Sequence, residues 1–286
     1  VLVLLTILLR NLMLYFSNEK SVQVIDYVTL YAVLPVLMLN KIVKRQTYIM
    51  DIRTYPVNNL YNTLPIHFRL AHWLASYFCC GITYITDVMY QDSKQWNKTK
   101  VKEWATWGSG YNPDVFSLKE RTALVNDEPL SLLYHGGISI SRGVLDLVKA
   151  VEVCIEGGHK VELTLLGVWV DKTEIQNFIE SRGLNKYITC LDPVPISEIP
   201  KYIEKSDFGI LPFPDFIGWR VSSPIKLFEY LGMGKPVIVT DIDCFTCELG
   251  NATYAVYAKD SSPEELSKSI INAIENRQRL GEQGMN

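Results

Sequence analysis

At 286 residues the chain exceeds the usual size of one domain and, at roughly 150 residues per domain, reads as two. Hydrophobic residues make up 48% and charged residues 21%, the balance of an ordered globular protein, which excludes a disordered one. The net charge of -3 lacks the basic excess of phosphate-backbone binders, so no nucleic-acid partner is expected.

The chain opens at Val1 with an apolar run to Phe16, broken by Arg10 and Asn11. A spanning helix needs about 20 apolar residues, and a signal peptide carries its positive charge ahead of the apolar stretch. The run therefore reads as a helix buried on a sheet, with a membrane-associated segment as the alternative. A start inside such an element also suggests a fragment. Residues 22–28 and 46–52 read as strands around a helix at 32–44. A long helix at 60–80 and a strand at 82–86 follow. Gly108-Ser-Gly110 and Asn112-Pro113 break regular structure within 104–116, and the charged, aperiodic stretch 117–128 reads as a linker. The domains are accordingly expected at 1–120 and 121–286.

The second half is more regular. Short β-branched runs at 131–135, 161–166, 187–191, 208–211, 236–240 and 254–257 alternate with amphipathic segments at 143–155, 172–181, 196–205, 224–231 and 263–275. Such alternation predicts a parallel, doubly wound sheet whose carboxyl edge takes the ligand. Gly136-Gly137, Gly167, Asp192-Pro193, Pro212 and Asp241 follow these runs, so backbone can approach a ligand there. Cys79, Cys80, Cys154, Cys190, Cys244 and Cys247 lack a regular spacing, which fits a reducing compartment. Neither Cys244-Phe-Thr-Cys247 nor the histidines at 67, 72, 135 and 159 have the spacing of a metal site, and no metal is expected. His135 alone falls at the strand edge.

The strongest local signal runs from Ser222 through Ser223-Pro-Ile-Lys-Leu-Phe-Glu to Thr240. Ser222 or Ser223 suits an N-cap and Pro224 the first helical position, while the glycines at 232 and 234 end the helix. Its amino end would attract phosphate. Lys226 and Glu229, three apart, share a face. A lysine in the first turn opposes the helix dipole unless an anion offsets it, and Glu229 is suited to accept from sugar or ribose hydroxyls. Arg142, just before a helix start, is placed for a bidentate grip on a diphosphate. Each of these also has a plain reading as a solvated surface charge.

These pieces resemble, in order, the donor-binding domain of the glycosyltransferases of family 4, the retaining GT-B enzymes. The matching segments are the turn from Gly136 to Gly143, Leu163-Thr-Leu-Leu-Gly167, Val194-Pro-Ile-Ser-Glu-Ile-Pro200, Ser206-Asp-Phe-Gly-Ile-Leu-Pro212, Ser223 to Ile238 and Ala258-Lys-Asp-Ser-Ser-Pro263. In the first half, Tyr48-Ile-Met-Asp-Ile-Arg-Thr54, Gly81-Ile-Thr-Tyr-Ile-Thr86 and the segment from Gly108 to Phe116 are similar to the family's acceptor domain. The resemblance implies two Rossmann-like α/β domains facing a cleft, truncated at both ends. It implies a sugar moved with retention from a nucleotide-diphosphate donor to a polysaccharide or glycolipid acceptor. Arg142 and Lys226 would hold the diphosphate and Glu229 the ribose. Gly136, Gly137, Val194, Ser222, Ser223 and Pro224 would line the donor site, with the backbone at Val194 meeting the nucleobase. Asp51 and Arg53 stand near the reaction centre, where the family often has a histidine in place of Arg53. Val221 also departs from the family, which often carries a glutamate eight residues before Glu229. No cofactor beyond the donor is implied, and the setting is cytoplasmic, at the inner face of the plasma membrane. The alternatives are a sugar-nucleotide epimerase of the same architecture and an inactive nucleotide-sugar-binding fragment. An oxidoreductase is disfavoured because no GxGxxG follows a strand.

Overall fold

The computed structural model describes residues 2–17, 19–56, 65–96, 103–117 and 128–284. The chain divides into one unit of Val1–Gly108 with Arg220–Ser223, and a second of Ser109–Trp219 with Pro224–Asn286. The division falls after Gly108, ahead of the linker placed at 117–128, most of which lies outside the described residues.

The first unit runs α1 (Leu2–Phe16), β1 (Val22–Ile25), α2 (Tyr27–Ile42), β2 (Thr47–Ile52), α3 (Ile66–Phe78), β3 (Gly81–Tyr84), α4 (Asp87–Trp96) and β4 (Trp104–Thr106). Its strands are parallel and ordered β1-β2-β3-β4, so successive crossovers travel one way across the sheet. Period-two alternation sends Tyr48, Met50, Ile52, Ile82 and Tyr84 into the core, while their neighbours on β2 and β3 stay partly exposed.

β1 is shorter than the 22–28 expected because a capping box takes over. The Asp26 carboxylate accepts from the amides of Val28 at 3.0 Å and Thr29 at 2.7 Å, and the Asp26 amide donates to Thr29 Oγ1 at 2.9 Å. This starts α2 ahead of residue 32. The opening helix corrects a second expectation, since it is not buried. Among its residues Asn11 and Tyr15 are buried, whereas Leu2, Val3, Met13 and Phe16 are exposed. Polar contacts hold it to its neighbours: Tyr15 Oη donates to Leu39 O and Val43 O, and Tyr48 Oη donates to Asn11 Oδ1 at 3.1 Å. No described helix is long and apolar enough to cross a membrane. The helix expected at 60–80 is seen from Ile66, its earlier part lying outside the described residues.

The second unit holds β5 (Leu130–Ile138), α5 (Val144–Glu156), β6 (Val161–Trp169), α6 (Lys172–Ser181), β7 (Ile188–Leu191), α7 (Ile199–Lys205) and β8 (Phe208–Leu211). In chain order there follow α8 (Ile217–Arg220), α9 (Ile225–Gly232), β9 (Val237–Thr240), α10 (Asp243–Leu249), β10 (Ala255–Ala258), α11 (Pro263–Glu275) and α12 (Arg277–Gly284). All pairings in this sheet are parallel and the order is β10-β9-β8-β5-β6-β7. The chain winds outward from β5 to β7, then returns to β8 and winds the other way. That reversal beside β5 is where a doubly wound sheet opens a crevice at its carboxyl edge.

A buried ion pair ties the end of this unit to its sheet. Arg277 Nη1 donates to Glu128 O at 2.8 Å and Nη2 to Asp207 Oδ2, which also accepts from the Ser131 amide at 2.7 Å. Both side chains are nearly inaccessible, at 6% and 10% exposure. Burial pushes the Asp207 carboxyl up, and the Ser131 amide and Arg277 oppose it. Replacing Arg277 by Met would leave that carboxylate buried without its cation, a loss of about 3 kcal/mol. We expect a lower urea midpoint for Arg277→Met and a smaller loss for the double variant Arg277→Met with Asp207→Asn; equal losses would contradict the pairing.

Candidate functional site

At the carboxyl edge, β5 runs further than expected. Gly136 and Gly137 are not the turn after the strand but part of it, paired with Gly167 and Val168 of β6. Gly136 has φ 109°, and a Cβ there would lie 2.4 Å from Lys226 Cε. The lysine stem thus crosses directly over strand backbone, an approach only glycine allows. Beyond β5 the chain makes a single turn of 3-10 helix at Ile140–Arg142, fixed by the Ile140 amide donating to Asp171 Oδ2 at 2.8 Å. Gly143 closes that turn at φ 76°, where a Cβ would lie 1.9 Å from Pro212 O.

This turn aims Arg142 back over the strand. Its Nε and Cζ sit 3.4 Å from where a Cβ of Gly137 would be, and Cζ lies 4.9 Å from the centre of the Trp219 ring. Trp219 is itself fixed by Nε1 donating to Ser141 O at 3.0 Å. Arg142 and Lys226 therefore lie over adjacent residues, Gly137 and Gly136.

Lys226 occupies the first turn of α9. The expected serine N-cap is corrected: Pro224, extended at ψ 111°, holds that position and makes no side-chain cap bond. A residue with that ψ cannot serve as the first helical one, so the helix begins at Ile225. Ser222 and Ser223 fall in the segment that groups with the first unit. Lys226 Nζ stands 5.2 Å from the Tyr134 ring centre and 5.5 Å from that of Phe213, in cation–π geometry. Burial, and then the Arg142 charge, lower its proton affinity to about 7, with Glu229 opposing.

Glu229, almost one turn along, is 7% exposed. Burial raises its carboxyl and Lys226 lowers it. Its Oε2 lies 3.3 Å from Nε2 of His135, which is equally buried and stacks edge-to-face on Tyr230 at 5.0 Å. Burial first, and Lys226 second, hold His135 down to about 3, so the ring is neutral near pH 7, and its buried Nε2 approaches Glu229 without completing a hydrogen bond. His135 was legible in the sequence as the one histidine at the strand edge, within reach of the site. The aromatic lining of Tyr134, Phe213 and Trp219 left no mark in the spacing, because it is assembled from β5, the loop after β8 and α8.

Of the other expected residues, Val194 follows β7, two strands from β5, where it is partly buried against the core. Asp51 and Arg53 belong to the first unit and come together there. Asp51 Oδ1 accepts from Thr83 Oγ1 at 2.7 Å and Trp107 Nε1 at 3.0 Å, and Arg53 Nη1 donates to Trp107 O at 2.8 Å. Among the described residues no group of three or more His, Cys, Asp or Glu could hold a metal ion.

Arg142 and Lys226 thus set two cationic side chains against the glycine backbone of β5, with the buried Glu229 almost one turn along α9. The teichuronic acid biosynthesis glycosyltransferase TuaH of Bacillus subtilis (strain 168) is 28% identical over 138 residues, covering 47% of this chain and 33% of that protein. The alpha-monoglucosyldiacylglycerol synthase of Acholeplasma laidlawii is 24% identical over 167 residues, covering 58% of this chain and 40% of its own length. The matched segments thus span two fifths or less of the length of these curated relatives. Anabaena HepE in complex with UDP superposes with a TM-score of 0.74 at 14% identity, over 98% of this chain and 75% of HepE. The fold is that of the GT-B glycosyltransferases, with two parallel-sheet α/β domains. Residues 129–276, just over half the chain and including all of the Arg142, Lys226 and Glu229 cluster, match the family described as Glycosyl transferases group 1, and the chain belongs to that family.

Proposed function

We propose that this chain is the core of a retaining, metal-independent family 4 hexosyltransferase. It moves a sugar from a nucleotide-diphosphate donor to a glycan or lipid-linked acceptor. The observation that carries the reading is the placement of Arg142 and Lys226 over adjacent glycines of one strand. Their charges reinforce each other's demand for an anion. In the reaction the bond from the sugar's anomeric carbon to the diphosphate oxygen breaks, and the acceptor oxygen bonds to that carbon on the same face. The acceptor's proton passes to the departing diphosphate. Charge builds on that diphosphate as it leaves, and this is what Arg142 and Lys226 stabilise. Glu229, beside the neutral ring of His135, accepts from the ribose hydroxyls. Gly136, Gly137, Pro224 and Val194 supply backbone to the donor, Ser222 and Ser223 follow as donor contacts, and Asp51 and Arg53 serve the acceptor.

The setting is the cytoplasmic face of a membrane, held peripherally. Leu2, Val3, Met13, Phe16 and Ile42 are exposed, and Lys41, Lys44 and Arg45 follow on the same pair of helices and its exit. The relative named for a glycolipid synthesis and the one named for teichuronic acid both fit an acceptor at a cell surface.

Isothermal calorimetry with UDP, GDP and ADP tests donor binding, and absence of heat from all three would overturn the reading. Arg142→Met and Lys226→Met should each weaken the bound nucleotide by about 30-fold, the loss of one charge-assisted hydrogen-bonding group.

The lowered proton affinity of Lys226 gives a pH test. In the free protein Lys226 loses its proton as pH rises through about 7, and a bound diphosphate restores it. Binding at pH 8 should therefore take up protons, seen as a dependence of the measured heat on the buffer's ionisation enthalpy, and affinity should fall as pH rises. Lys226→Arg should abolish the uptake; uptake unchanged in that variant would assign it elsewhere.

His135→Leu should leave the fold intact and reduce the preference for UDP over 2′-deoxy-UDP, because Glu229 loses the ring that stands 3.3 Å from its carboxylate. Discrimination equal to wild type would remove His135 from the site.

A further inference from the structure

The first unit contains a second built surface, around Trp107. This indole is 55% exposed yet held on every polar atom: its backbone amide donates to Tyr84 O at 3.0 Å, its carbonyl accepts from Arg53 Nη1 at 2.8 Å, and Nε1 donates to Asp51 Oδ1 at 3.0 Å. The Arg53 guanidinium lies 4.2 Å from the ring centre and covers one face. An exposed aromatic ring in water ordinarily gains nothing from being fixed, and here three residues, Tyr84 of β3 with Asp51 and Arg53 at the end of β2, fix it.

Beside the ring stands a matched polar pair. Asp51 Oδ1 is taken by Thr83 and Trp107, which leaves Oδ2 as an acceptor, 4.0 Å from Arg53 Nε. Asp51 is 13% exposed and Arg53 38%, so both reach solvent. An acceptor and a forked donor side by side complement vicinal hydroxyls, each of which both donates and accepts. A phosphate would meet the Asp51 carboxylate and be repelled. A hydrocarbon chain would leave both polar groups unsatisfied. A pyranose satisfies all three surfaces, its C–H face on the indole and two adjacent hydroxyls on Asp51 and Arg53.

The geometry points to Trp107, Arg53 and Asp51 as a carbohydrate-binding platform in the first unit, which makes the acceptor a molecule that already carries a sugar ring. This rests on the transferase reading above and narrows its acceptor to a glycoside.

Saturation-transfer NMR on the full chain, without donor, tests it with millimolar methyl α-D-glucopyranoside, methyl α-D-galactopyranoside and N-acetylglucosamine, and with inorganic phosphate as a competitor. Transfer onto the C–H protons of one ring face is expected for at least one sugar. It should be lost in Trp107→Ala, partly kept in Trp107→Phe and about tenfold weaker in Arg53→Gln, with phosphate not competing. UDP calorimetry on the same variants should match wild type, showing that they fold and that the second unit is unaffected. The platform is overturned if no sugar shows transfer while UDP binds, if transfer persists in Trp107→Ala, or if phosphate displaces the sugar. Loss of UDP binding in the wild type would instead strike the transferase reading and leave a Trp107-dependent sugar signal standing.

Discussion

The arrangement turns on the passage of the Lys226 side chain across the backbone of Gly136. Because no Cβ intervenes, the ammonium is brought over the end of β5, between the rings of Tyr134 and Phe213, where the Arg142 charge already acts. Removing water from two like charges is unfavourable, and the lysine answers by releasing its proton more easily. On the proposed reading, an anion with two charged groups would relieve both the desolvation and the repulsion. Gly143 closes the Ile140–Arg142 turn where any side chain would meet the Pro212 carbonyl, since a Cβ there would lie 1.9 Å from Pro212 O.

Much of this was legible in the sequence. The alternation of β-branched runs with amphipathic segments yields the second unit's sheet, and Lys226 and Glu229 were marked by their spacing on α9. What the sequence hid was local competition. Gly136 and Gly137 look like turn formers, yet the pairing with β6 continues through them because the neighbouring strand supplies Gly167 opposite Gly136. Ser222 and Ser223 look like caps, but Pro224 takes an extended ψ and displaces them. In the first unit, the Asp26 and Thr29 box outweighs the β-branched residues that suggested a longer strand. The apolar opening looked buried from its composition, whereas its polar Asn11 and Tyr15 make its contacts.

His135 and Trp107 illustrate a different limit. Each acquires its meaning from partners far away in sequence, Glu229 for one and Asp51 and Arg53 for the other. No periodicity in a single chain signals such pairs. Both are neutral rings set against charged side chains that the chain brings from a distance, Glu229 at 3.3 Å from His135 Nε2 and Asp51 at 3.0 Å from Trp107 Nε1.

The most direct test of the central claim is a crystal structure of this chain grown with UDP. The diphosphate oxygens should lie within hydrogen-bond distance, about 3 Å, of both the Arg142 guanidinium and Lys226 Nζ. A well-ordered UDP whose diphosphate contacts neither side chain would contradict the account.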